Sequence, residues 1–136
     1  MAADRPAHDT AGMTINTLTL AAAILTWFMI MIASTLRTGG NMQLATGNRH
    51  ALPPPTPVAE RADRAAKNML ENLVLFVALV VAVGARNPGR AELGAEVFLI
   101  ARVVYWPIYL AGIPVVRTFV WTAGLVGLVL LASAAL

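Results

Sequence analysis

Residues 10–36 carry no charged side chain. A helix needs about 20 predominantly apolar residues to cross the hydrocarbon core of a bilayer. This one stretch, read as a span over roughly 14–36, therefore places the chain in a membrane. Composition agrees with that reading. Of 136 residues, 58% are hydrophobic and 12% are charged, against ~25% charged in an ordinary soluble domain. Mean hydropathy is +0.70. A chain this short cannot build a core large enough to hide so much apolar surface from water. A water-soluble enzyme is excluded, and so is disorder, which needs low hydrophobicity and high net charge.

The rest of the chain divides at its turn signals. Arg37 closes the first span, and Gly39-Gly40-Asn41 marks a turn. Residues 38–58 read as a polar loop ending in Pro53-Pro54-Pro55, with Thr56-Pro57 as an N-cap and a proline at the first helical position. A second span is expected over about 58–85, a third over about 92–112 and a fourth over about 116–136. Pro107 removes a backbone donor inside the third span and is expected to kink it, while Pro114 marks the next turn. The expected fold is all-α, an integral membrane four-helix bundle over residues 14–136, preceded by a polar, mobile tail over 1–13. That tail is not basic, and the apolar stretch after it is too long for the core of a cleaved signal peptide. Four helices leave a thin interior, which predicts an oligomer. Ala123 and Gly127, four apart, are suited to a close helix contact.

Charge narrows the function classes. The net charge of +3 comes from 10 basic against 7 acidic residues. No run of basic residues interleaved with aromatics is present, so nucleic acid is not an expected partner. There is no cysteine, which removes a thiolate nucleophile and thiolate metal sites. His8 and His50 lie outside the spans and read as solvated rather than as metal ligands. Four spans put both termini on one side. The first loop and the helix ends beside it carry Arg37, Arg49, Arg61, Arg64, Lys67 and Arg117, whereas the opposite side carries Arg5, Arg86 and Arg90. The positive-inside rule then places the first loop in the cytoplasm and both termini outside it.

Two polar stripes stand out in a chain so poor in charge. Ionisable groups within membrane helices are costly and mark functional sites by default. Arg64, Asn68 and Glu71 fall at i, i+4 and i+7 on the second helix, within about 60° of one another at 100° per residue. Arg61 and Lys67 flank them, and Ala62, Ala66, Met69 and Leu73 lie opposite. A cation, an amide and a carboxylate in a row suit a zwitterionic ligand with peptide groups. The plainer reading is an ion pair of Glu71 with Arg64 or Lys67. On the third helix Arg102, Tyr105 and Tyr109 share a face at i, i+3 and i+7, with Trp106 beside them. A tyrosine hydroxyl can donate to a ligand or a thiolate, although tyrosine and tryptophan also gather at membrane interfaces without other purpose. Arg102 lies away from the ends of its span and needs a partner, with Glu71 and Glu96 as the candidates.

The segment Glu60-Arg61-Ala62-Asp63-Arg64-Ala65-Ala66-Lys67-Asn68-Met69-Leu70-Glu71-Asn72 resembles the signature of the MAPEG family, membrane-associated proteins in eicosanoid and glutathione metabolism. Ala101-Arg102-Val103-Val104-Tyr105-Trp106-Pro107-Ile108-Tyr109 resembles the family's motif on the third helix. The resemblance, which is to a bacterial-type member, covers roughly residues 14–136. It implies a homotrimer of four-helix subunits in the membrane, in a bacterial cell the inner membrane, with lipid around it. It also implies glutathione as co-substrate, bound between neighbouring subunits near the cytosolic side. Carried over by position, Arg37, Arg64, Asn68, Glu71, Tyr105 and Tyr109 would bind glutathione, with Glu71 suited to its ammonium group. Arg117, followed by Thr118, would lie by the thiol and act catalytically with Tyr109. The implied activity is transfer of glutathione to an apolar small-molecule electrophile, or a related peroxidase or isomerase reaction. The alternative is a non-catalytic protein of the same fold that binds lipid or docks a partner, as some relatives do.

Overall fold

The computed structural model describes residues 13–48, 50 and 52–136. The tail expected over 1–13, apart from Met13, and the residues Arg5, His8 and Arg49 lie outside the described residues. Among the described residues five helices follow in order: α1 (Ile15–Thr38), α2 (Met42–Thr46), α3 (Pro57–Val83), α4 (Pro88–Ala111) and α5 (Pro114–Ser133). All except α2 are long and apolar enough to cross a membrane. Among the described residues there is no strand. The all-α bundle with four membrane-spanning helices is the expected fold.

Local chemistry sets the helix ends. The Thr14 hydroxyl accepts from the Thr17 N–H at the start of α1, and the Thr56 hydroxyl accepts from the Ala59 N–H at the start of α3. Each leaves one fewer orphan donor at its helix terminus. Gly39, at φ +60°, ends α1 in the left-handed conformation that glycine adopts without strain. Proline stands at the start of α3, α4 and α5 alike. A missing N–H costs nothing at the first helical position, where no intrahelical acceptor exists. For that reason α4 begins at Pro88 rather than at about 92, and α5 at Pro114 rather than at about 116. α4 runs on through Pro107 as one helix to Ala111. The first loop is also not all irregular. The Asn41 side chain accepts from the N–H groups of Gln43 and Leu44 and so caps α2, a single turn inside the segment expected to be loop.

The core is a narrow seam. On α1 it is Leu18, Ala22, Thr26, Met29 and Ala33, and on α3 it is Ala62, Ala66, Met69, Phe76 and Val83. With the partly buried Leu73 and Val80, the α3 stripe recurs every three or four residues down one side of the helix. Much of the outer surface remains apolar, including Leu20, Ile24 and Trp27 on α1 and Val74 and Val81 on α3. In water this would be a liability; a bilayer accommodates it.

α3 and α4 run antiparallel, and their contacts descend in register. Arg61 meets Leu110, Asn68 and Asn72 meet Arg102, and Phe76 stacks on Phe98 with ring centroids 4.7 Å apart. α4 and α5 approach each other most closely through glycine. A Cβ on Gly94 would strike the Leu131 backbone, and one on Gly127 would lie 2.5 Å from the Phe98 nitrogen. The close contact is therefore Gly94 with Gly127 inside the bundle, whereas Ala123 is exposed. The end of the bundle with Arg37, the first loop, Arg61 and the α4–α5 turn is the polar one, and it carries the candidate site.

Candidate functional site

Arg102 is the largest fully buried side chain among the described residues, only 2% exposed. A guanidinium has five N–H donors and no acceptor, so it needs oxygen atoms around it. Neither Glu71 nor Glu96 supplies them. Instead Nη1 donates to the Asn68 Oδ1 at 3.0 Å and Nη2 to the Asn72 Oδ1 at 2.8 Å. Asn72 in turn donates from Nδ2 to the Asn68 backbone carbonyl at 2.7 Å. The rings of Phe98 and Tyr105 lie 5.2 and 5.6 Å from the Arg102 Cζ, within cation–π range. Gly124 of α5 makes the room, since a Cβ there would sit 3.3 Å from the guanidinium. The cation is held by amides and ring faces, with no carboxylate. Asn68 thus faces α4, at the edge of the polar stripe in which sequence spacing places it.

The other two members of that stripe, Arg64 and Glu71, are exposed. Arg64 pairs with Glu60 at 3.5 Å and Lys67 with Asp63 at 2.8 Å, both one turn apart on α3 and both about half exposed or more. Neither pairs with Glu71, which is exposed and makes no ion pair among the described residues. Exposed pairs of this kind contribute only ~0.3–0.5 kcal/mol each, so both cations exchange partners easily. Glu71 lies seven residues beyond Arg64, about 10 Å further along the helix axis.

Tyr105, Tyr109 and Arg117 come together. With Thr118 and Trp121 they line an open cavity of about 250 Å³ between α4 and α5. The Arg117 guanidinium lies over the Tyr109 ring at 4.9 Å, and the Tyr105 and Tyr109 rings are 5.3 Å apart. Tyr105 is buried and Tyr109 half-buried. Arg37 belongs to a second cavity of about 270 Å³ between α1 and α3, lined also by Ser34, Asp63 and Lys67. Its Nη1 donates to the Pro53 carbonyl at 2.8 Å, which ties the first loop to the end of α1. The seven candidate residues therefore occupy three places in the chain, and Arg64, Asn68 and Glu71 line neither of these two cavities.

Two residues outside the sequence-based set hold the site together. Arg61 reaches from α3 to the end of α4, where its Nε donates to the Leu110 carbonyl at 2.8 Å. The last carbonyls of a helix lack intrahelical partners. α4 has no basic residue in its last turn, so Arg61 brings both the donor and the positive charge that suits a helix C-terminus. It thereby fixes the turn that separates Tyr109 from Arg117. Asn72 is the second, as the acceptor for the Arg102 Nη2, while the buried Arg102 Nε has no hydrogen-bond partner among the described residues.

A buried arginine cradled by asparagines on the neighbouring helix, with two tyrosines and a second arginine at the polar end of four membrane spans, is a specific arrangement. The family model of the MAPEG family matches residues 16–136. The chain belongs to the MAPEG family. As a MAPEG protein it is an integral membrane protein of the glutathione and eicosanoid metabolism group. No curated protein matches the chain.

Proposed function

We propose that this MAPEG protein is a membrane-bound, glutathione-dependent transferase acting on apolar electrophiles, and that it works as a homotrimer. The observation that carries this reading is the Tyr105–Tyr109–Arg117 cavity, with the Arg117 guanidinium stacked over Tyr109. A free thiol has a pKa near ~8.5, so little of it is thiolate at neutral pH, and the thiolate is the nucleophile. Arg117 supplies a fixed positive charge that favours the anion in a partly shielded site, and the Tyr109 hydroxyl donates a hydrogen bond to it. The peroxidase or isomerase variants use the same activated thiol. No side chain of the protein needs to become a covalent nucleophile.

The remaining candidates fit a tripeptide with two carboxylates and an ammonium group. Arg37 and Arg64 match the carboxylates, Glu71 the ammonium and Asn68 a peptide or carboxylate group. Their dispersal within one protomer supports a site shared between subunits, with α3 of one copy facing α4 and α5 of the next. An exposed Glu71 at that depth is costly against lipid, and a neighbouring subunit with bound ligand would cover it. In this reading the first loop faces the cytoplasm, both termini lie outside it, and in a bacterial cell the membrane is the inner one.

A second reading, a non-catalytic lipid-binding or partner-docking protein, draws on a different feature. An apolar groove of about 410 Å³ runs between α4 and α5, lined by Val97, Ile100, Ala101, Val104, Phe119, Val120 and Ala123. The same groove suits an apolar electrophile entering from the bilayer. Conjugation of glutathione to a halonitrobenzene by the purified protein separates the two. The transferase reading expects turnover that falls at least tenfold in Arg117→Ala. A co-purified lipid found by mass spectrometry, with no thiol chemistry, would favour the second reading.

A further inference from the structure

Asn68 has one carboxamide and two demands upon it. Its oxygen lies 3.0 Å from the Arg102 Nη1. Because a guanidinium only donates, the oxygen and not the nitrogen must face it. Asn72 cannot relieve this constraint, since its own oxygen is taken by Arg102 and its nitrogen by the Asn68 backbone carbonyl. The Asn68 Nδ2 donates to no described residue, and it is not among the polar atoms sealed inside the protein. An asparagine on a loop chooses which end of its amide to present. Here the choice has been made by a buried cation that has no carboxylate to turn to.

We propose that Arg102 is a positioning residue that locks the Asn68 carboxamide with its NH2 group outward, so that this position recognises only a hydrogen-bond acceptor of the ligand, a carboxylate or a peptide carbonyl. The inference rests on the glutathione reading above for the identity of the ligand, and on the Arg102 geometry alone for the orientation. It makes Asn68 a determinant of specificity: a ligand offering an N–H or ammonium at this point meets a second donor and is rejected. Glu71, one turn further along α3, is the acceptor for such groups.

The test is a set of three substitutions in the full-length, detergent-purified protein. Asn68→Asp keeps an oxygen for Arg102 and removes the outward N–H groups. Asn68→Leu removes both. Asn72→Asp adds the same negative charge beside Arg102 and keeps the Asn68 carboxamide, at the loss of the Asn72 donor to the Asn68 backbone carbonyl. Unfolding midpoints without ligand read the bond to Arg102, and calorimetric titration with glutathione reads the donor. Asn68→Asp is expected to keep the wild-type midpoint while losing affinity by tenfold or more, the size of effect expected for loss of a hydrogen bond to a charged group. Asn68→Leu is expected to lower the midpoint clearly, and Asn72→Asp to bind glutathione within twofold of wild type. Wild-type affinity in Asn68→Asp overturns the donor role, and a midpoint as low as that of Asn68→Leu overturns the bond to Arg102. An equal affinity loss in Asn72→Asp assigns the effect to charge and also overturns the proposal. If the wild-type protein itself binds no glutathione, the transferase reading fails and takes the donor role with it, and the midpoints still decide the orientation.

Discussion

The two faces of α3 use the same residue types for opposite ends. On the inner face Asn68 and Asn72 have their oxygens tied to Arg102, and Phe76 stacks on Phe98 below them. On the outer face Arg64 and Lys67 form only exposed pairs within their own helix, and Glu71 has no ion-pair partner. Polar groups that are buried must be satisfied or they cost several times what an exposed pair returns. The inner face therefore serves stability, with only the Asn68 amide nitrogen left over, and the outer face is left free to bind. A single helix turn separates Asn68 from Arg64, so the boundary between the two tasks falls inside one sequence motif.

The contrast between the two faces is sharpest at Asn72. Asn72→Leu takes an acceptor from a fully buried guanidinium and a donor from the Asn68 carbonyl, and is expected to cost about 3 kcal/mol or more. Thermal unfolding in detergent measures this, and a midpoint like the wild type's would show that Arg102 is indifferent to its cradle. Next in size is Arg61→Ala. It removes a charged hydrogen bond from the end of α4, worth about 1.5–3 kcal/mol. Amide exchange should speed up over 110–113, the turn that spaces Tyr109 from Arg117. Slow exchange there would mean that the turn holds itself. The smallest effect on stability is expected at Arg64→Ala and Glu71→Ala, each within about 0.5 kcal/mol of wild type without ligand. A loss comparable to that of Asn72→Leu would erase the distinction between the two faces.

Much of the fold was legible because a membrane makes few demands and states them plainly. A span is an uncharged run of sufficient length, and residues 10–36 meet that condition unaided. Helix starts are less legible. The proline rule that locates the start of α3 at Pro57 applies equally to Pro88 and Pro114, yet both look like turn residues when the segments around them are short. α2 is too brief to show any periodicity and rests on the Asn41 cap alone. At the site, spacing brought Tyr105 and Tyr109 to one face, and the structure adds Arg117 across the α4–α5 turn. Spacing also grouped Asn68 with Arg64 and Glu71, since 60° of helix looks like one face on a wheel. It cannot tell that one edge of that face is claimed by another helix. The partners of Arg102 are hidden from the sequence for a related reason. A charge in a membrane suggests an opposite charge, whereas two amides and two aromatic rings do the work here. Asn72 carried a usable signal, since it lies one turn from Asn68 and level with Arg102 in an antiparallel pair. Arg61 carried none, because a backbone carbonyl as acceptor leaves no trace in the sequence.

In the proposed function the exposed cations and carboxylate of α3 bind what the Arg117 cavity activates. Calorimetric titration of glutathione into the folded, detergent-purified protein addresses this directly. Saturable binding at millimolar concentration or below is expected, weakened tenfold or more by Arg64→Ala and again by Glu71→Ala, with unfolding midpoints unchanged. Absence of binding at millimolar glutathione in a protein that still unfolds cooperatively would contradict it.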